Sequence, residues 1–123
     1  MNNRNYPLFI IDRSQSDNYP FDYVVCLDKE VGFVCSVIAA TDDNTFQALV
    51  SDLVPADENA FKYFTMRLKR GGILLFIEDF LQDIETVSAE QKARIQVLMK
   101  KAAKKYQFSS SKRETKPDQS TNY

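Results

Sequence analysis

A chain of 123 residues with 44% hydrophobic and 27% charged residues fits one globular domain around a single core, because two domains would each be too small. Its 16 Lys/Arg and 17 Asp/Glu nearly cancel, and it holds no histidine and two cysteines. Those counts exclude Ser-His and Cys-His nucleophilic pairs, remove the usual general base near neutral pH, and leave too few ligands for a Cys/His zinc site.

Met1 to Asn5 places no apolar run behind Arg4, so a flexible N-terminus without a cleavable signal peptide is expected. From Tyr6 the sequence reads as β. Tyr6-Pro7-Leu8-Phe9-Ile10-Ile11 is rich in strand formers with Pro7 at a strand start, and Asp12 to Pro20 is a polar connection. Phe21, Tyr23, Val25 and Leu27 then alternate with Asp22, Val24, Cys26 and Asp28, the period of a strand whose two faces differ in burial. Asp28-Lys29-Glu30-Val31-Gly32 supplies a turn and Phe33 to Ala40 returns, giving three strands with a hairpin among them.

Cys26 and Cys35 both fall in apolar strand-like runs, where a thiol acts as a small buried hydrophobe. A hairpin closed at Lys29/Gly32 or at Asp28/Phe33 sets them opposite each other, and a bulge at Gly32 separates them. Both registers are open at this point.

From Thr41 the period changes. Asp42-Asp43-Asn44 offers N-cap candidates, with Gln47 at capping-box distance from Asn44, and Phe46, Leu49, Val50 and Leu53 follow at helical spacing before Pro55. A second helix is expected from Asp57, carrying Phe61, Phe64 and Leu68 and ending at Gly71-Gly72. In the next segment Ile73, Ile77, Phe80 and Ile84 recur at i, i+4, i+7 and i+11, which predicts a helix; the alternative for Ile73 to Ile77 is a buried strand. Ser88 with Gln91 caps a final helix whose apolar face is Ile95, Leu98, Met99, Ala102 and Tyr106. After Phe108 the sequence has little to bury, so residues 109–123 are expected to be a disordered polar tail. The fold expected is α+β: about three N-terminal strands in a small antiparallel sheet, packed on three or four C-terminal helices, in one domain over residues 6–108.

The net charge of −1 conceals a segregation. Residues 1–91 carry 7 Lys/Arg against 15 Asp/Glu, a net of −8, and residues 92–123 carry 9 against 2, a net of +7. On a helical wheel Arg94, Lys100, Lys101, Lys104 and Lys105 spread over the side opposite the apolar face. That side reads as a solvated face favoured by the helix dipole, as a docking surface for an acidic protein, or as a phosphate-tracking surface extended by Lys112, Arg113 and Lys116.

No catalytic constellation appears. The three glycines, Gly32, Gly71 and Gly72, form no phosphate-binding loop. The acidic clusters around Asp42-Asp43, Asp57-Glu58 and Glu78-Asp79 read as caps and solvated groups, with acid-base work indicated only if Glu78 and Asp79 were buried together. No catalytic residue, metal or cofactor is therefore expected. The longest apolar run, Ile73 to Ile77, is far short of the ~20 residues that span a membrane, so the cytoplasm is the expected compartment and no membrane partner is expected.

The function expected is a non-enzymatic binding module of regulatory, adaptor or inhibitor type, with a protein as partner. The alternative is a nucleic-acid-associated protein acting through the basic end, and self-association is a further option. The candidate binding residues are Arg94, Lys100, Lys101, Lys104 and Lys105 on the last helix, with Tyr23 and Phe33 as sheet-face candidates.

Overall fold

The computed structural model describes residues 8–13 and 21–115, with side chains as far as Phe108. Met1 to Pro7, most of the polar connection (14–20) and residues 116–123 of the expected tail lie outside the described residues.

The alternating N-terminal segments pair as expected. β1 (Phe9–Asp12), β2 (Asp22–Cys26) and β3 (Phe33–Ala40) form an antiparallel meander. In the β2–β3 hairpin Cys26 stands opposite Phe33 and Val24 opposite Cys35. The reason lies in Asp28, whose carboxylate accepts the N–H groups of Glu30 and Val31 at 3.0 Å each. This local turn buries Val31 and lengthens the loop. The two cysteines are therefore offset rather than opposed, on one face, buried and free.

Two segments read as helical are strands. Asp57 caps only a short 3-10 turn, Glu58–Lys62, and Tyr63–Arg67 is β4. Gly72–Phe80 is β5. The apolar run of β5 mimicked a helical stripe because this central strand, between β3 and β4, buries apolar side chains from both of its faces at the Gly72 end. Ile73, Leu75 and Ile77 point into the main core, while Leu74, on the other face, is also fully buried. In β4 the alternation of Phe64 and Met66 against Tyr63, Thr65 and Arg67 matches pairing with β5. The fold is thus α+β, with a five-stranded sheet in the order β1-β2-β3-β5-β4 and two α-helices in place of about three strands and three or four helices.

α1 (Asp43–Leu53) is capped by Asp42, whose carboxylate accepts the Thr45 N–H and hydroxyl at 2.8 Å each. The Asn44/Gln47 alternative is not used. Phe46 is the buried residue of this helix; it lies against Gly72, where an added Cβ would come within 2.6 Å of its ring. The β4–β5 turn needs Gly71, at φ 70°, where a Cβ would meet the Ala40 carbonyl oxygen at 2.0 Å.

α2 (Ala89–Thr115) starts at the expected capping box: Gln91 N–H donates to Ser88 Oγ at 3.1 Å, and Ser88 N–H donates to Gln91 Oε1 at 2.9 Å. Its backbone runs past Phe108 into the region read as tail. Ile95, Leu98, Met99, Ala102 and Tyr106 are buried as expected, joined by Ala103. They cover the sheet face formed by Val24, Cys26, Phe33, Cys35, Val37, Ile73, Leu75 and Ile77.

Because Ile95 and Met99 are fully buried while Val97 is 54% exposed, truncation should divide sharply along the helix. Ile95→Ala and Met99→Ala are each expected to cost roughly 2–5 kcal/mol in urea unfolding, and Val97→Ala less than about 0.5 kcal/mol.

Candidate functional site

The burial of one side of α2 forces the other side outward. Lys100, Lys101, Lys104 and Lys105 are all exposed, and among the described residues none of them has an ion-pair partner. Two large apolar side chains share that surface, Val97 at 54% and Phe108 at 61% exposure. Positions 97, 101, 104 and 108 fall at i, i+4, i+7 and i+11, within ~60° of one another around the helix. The outward stripe therefore runs Val97, Lys101, Lys104, Phe108, with Lys100 and Lys105 flanking it. Val97 and Phe108 were absent from the sequence-derived candidates, although their spacing was a usable signal.

Arg94 does not belong to this surface. Its Nη2 donates to Asp28 Oδ1 at 2.6 Å and its Nε to Asp28 Oδ2 at 3.1 Å, with Glu30 Oε1 at 3.6 Å. The guanidinium completes the β2–β3 turn, on a carboxylate whose side chain is only 6% exposed. Lys92 is also engaged, its Nζ lying 5.1 Å from the Phe61 ring centroid.

The two sheet candidates part company. Phe33 is fully buried opposite Cys26, beneath α2, and offers no surface. Tyr23, opposite Ser36, lies on the other face and is partly exposed. Register places Tyr23, Ser36, Phe76 and Tyr63 in one row across β2, β3, β5 and β4. Phe76 stacks on Tyr63 at 5.9 Å and meets the Phe21 ring edge-on at 6.2 Å. Ser36, small and buried in that row, donates its hydroxyl to Glu78. Glu78 is the extra residue of a bulge, since Val34 pairs with Asp79 and Cys35 with Ile77. Glu78 and Asp79 are both exposed, so the condition that would have suggested acid-base work is not met.

Titration is perturbed at the structural groups. The Arg94 guanidinium, aided by the Val31 and Glu30 N–H groups, holds Asp28 at about 2, below its ordinary 3.8. Burial pushes Cys35 up to about 12 and raises Cys26 as well, while burial and then the Asp22 carboxylate raise Tyr106. Among the described residues, no group of three or more Cys, Asp and Glu is placed to hold a metal ion. Nor, among the described residues, is any helix long and apolar enough to cross a membrane.

Two outcomes follow from these shifts. A carboxylate that ionises more readily when folded stabilises the fold above its unfolded value, and loses that contribution as pH falls toward its folded value. Asp28 is expected to contribute about 2 kcal/mol above pH ~4 and to lose it between pH ~4 and ~2. Urea unfolding across that range should show the loss in the native sequence and its attenuation in Asp28→Asn. With both thiols buried and raised, Ellman's reagent near pH 8 should label Cys35 and Cys26 only on unfolding. Compared with family models, with curated proteins and with solved structures, the chain matches none.

Proposed function

We propose that the chain is a non-enzymatic, cytoplasmic binding module whose partner is another protein, and that the outward stripe of α2 is its docking surface. The observation that carries this reading is the run Val97, Lys101, Lys104, Phe108, exposed on a helix whose opposite side is locked into the core. Val97, 54% exposed beside the lysines, fits a docking helix, which uses apolar anchors for affinity and cations for steering and register. The partner surface that fits is an apolar groove with an acidic rim.

The mixture of anchors and cations supports protein over nucleic acid. Phosphate contacts engage the lysines and make no use of the exposed Val97. The net of −8 over residues 1–91 also opposes approach of a polyanion.

Removing the helix is not a usable test, because it would remove Ile95, Met99 and Tyr106 from the core. Two double variants of the full chain serve instead. Lys101→Glu/Lys104→Glu and Val97→Ser/Phe108→Ser are each expected to lower partner recovery from the native host at least ~10-fold, the effect of losing ~1.4 kcal/mol or more of binding. Partner recovery that survives both variants overturns the assignment. If filter binding to DNA or RNA is found, lost on charge reversal and kept on apolar replacement, the surface is a phosphate-binding one.

A further inference from the structure

α2 covers one face of the sheet, and the opposite face is left with an apolar and aromatic surface. α1 lies over its end at Gly72, where Phe46 packs. Beyond that end, Tyr23, Val25, Val34, Tyr63 and Phe76 stay partly exposed, and Ile10 is 46% exposed. The charged groups set into this ground are carboxylates: Asp12, opposite Tyr23 on β1, and Glu78 with Asp79 at the bulge opposite Val34. Among the described residues, the guanidinium on this side is that of Arg67, engaged at the α1 end by Asp43 at 3.6 Å and by the Phe46 ring.

We infer that this face receives the α2 stripe of a second copy of the chain. The inference rests on the reading of that stripe as a docking surface and adds the surface it docks on. The complementarity is of charge and of shape. The stripe has apolar ends, Val97 and Phe108, with Lys101 and Lys104 between them. The face has carboxylates at the bulge with Tyr23 on one side and Tyr63 on the other. The stripe extends ~16 Å along the helix, and the row from Asp12 through Tyr23, Ser36 and Phe76 to Tyr63 crosses four inter-strand gaps, ~19 Å.

Donor and receiver lie on opposite sides of one molecule, because α2 and the receiving face flank the same sheet. The contact is therefore heterologous, and successive copies add helix to sheet in one direction. One helical stripe buries less than a standard interface, so association is expected at roughly 100 µM rather than nanomolar.

Sedimentation velocity on the full chain, from about 10 to about 500 µM and at ~50 and ~500 mM NaCl, tests this. The expected result is a weight-average mass that rises at least ~1.5-fold with concentration at low salt and falls back at high salt. Lys101→Glu/Lys104→Glu should abolish the rise. Asp12→Lys/Asp79→Lys should do the same; it keeps Glu78 and so leaves the Ser36 hydroxyl its partner. Circular dichroism and the urea midpoint confirm that both variants fold. Because each variant now opposes like charge to like in its own pairing, association should return only when the two are mixed. A chain that remains monomeric at the highest concentration and low salt overturns the inference. So does association that Asp12→Lys/Asp79→Lys leaves intact. If partner recovery is still lost on Lys101→Glu/Lys104→Glu in either case, the docking role of the stripe stands without self-pairing.

Discussion

The packing of α2 on the sheet fixes the rotation of that helix about its own axis, and every exposed feature of its surface follows from that angle. Ile95, Leu98, Met99, Ala102, Ala103 and Tyr106 leave no freedom to turn another side inward, since each is at most 6% exposed. A buried aliphatic side chain is worth about 1.5–3 kcal/mol, while an exposed lysine gains almost nothing from its orientation. The core therefore decides where Lys100, Lys101, Lys104 and Lys105 point.

Position along the axis is fixed by polar contacts at two places. Near the start of α2, Arg94 is held by Asp28. Farther along, Tyr106 donates its hydroxyl to Asp22 at 2.6 Å, and Arg13 bonds the same carboxylate oxygen at 3.0 Å while stacking on the Tyr106 ring. From residue 94 to 106 an α-helix rises ~18 Å, and from residue 28 back to 22 an extended chain covers ~20 Å. The two clamps thus match in spacing, with the helix antiparallel to β2. A slip of one turn would break both and leave the nearly buried Asp28 charge without its cation, a costly arrangement.

Much of this architecture was legible in the sequence where local chemistry decides it. Ser88 and Gln91 marked the start of α2, the alternation from Phe21 to Asp28 marked β2, and Asp42 with its neighbours marked the start of α1. What was not legible depended on partners distant in sequence. Ile73 to Ile77 is apolar throughout, so a helical stripe can be read through it as easily as a buried strand, and only pairing with β3 and β4 on either side makes it a strand. Phe61, Phe64 and Leu68 fit a helical spacing, yet the β-forming run around Tyr63 pairs with β5 instead. The partner of Arg94 lies 66 positions away. Hairpin register turned on the single Asp28 side chain, which offset the cysteines, while strand alternation separates Phe33 and Tyr23 onto opposite faces in either register.

That last separation bears on function. The aromatic residues of the β region divide between two tasks, with Phe9 and Phe33 supplying the core and Phe21 and Tyr23 joining Tyr63 and Phe76 on the opposite side. Such a face, apolar with carboxylates at the bulge, differs from a nucleic-acid stacking platform in its charge: a phosphate chain laid across it would meet Asp12, Glu78 and Asp79. The same carboxylates suit a cationic helix. The lysines of α2 and the carboxylates Asp12, Glu78 and Asp79 thus stand on opposite sides of the sheet, where the core does not need them, so that the near-zero net charge of the chain conceals local surfaces of opposite sign.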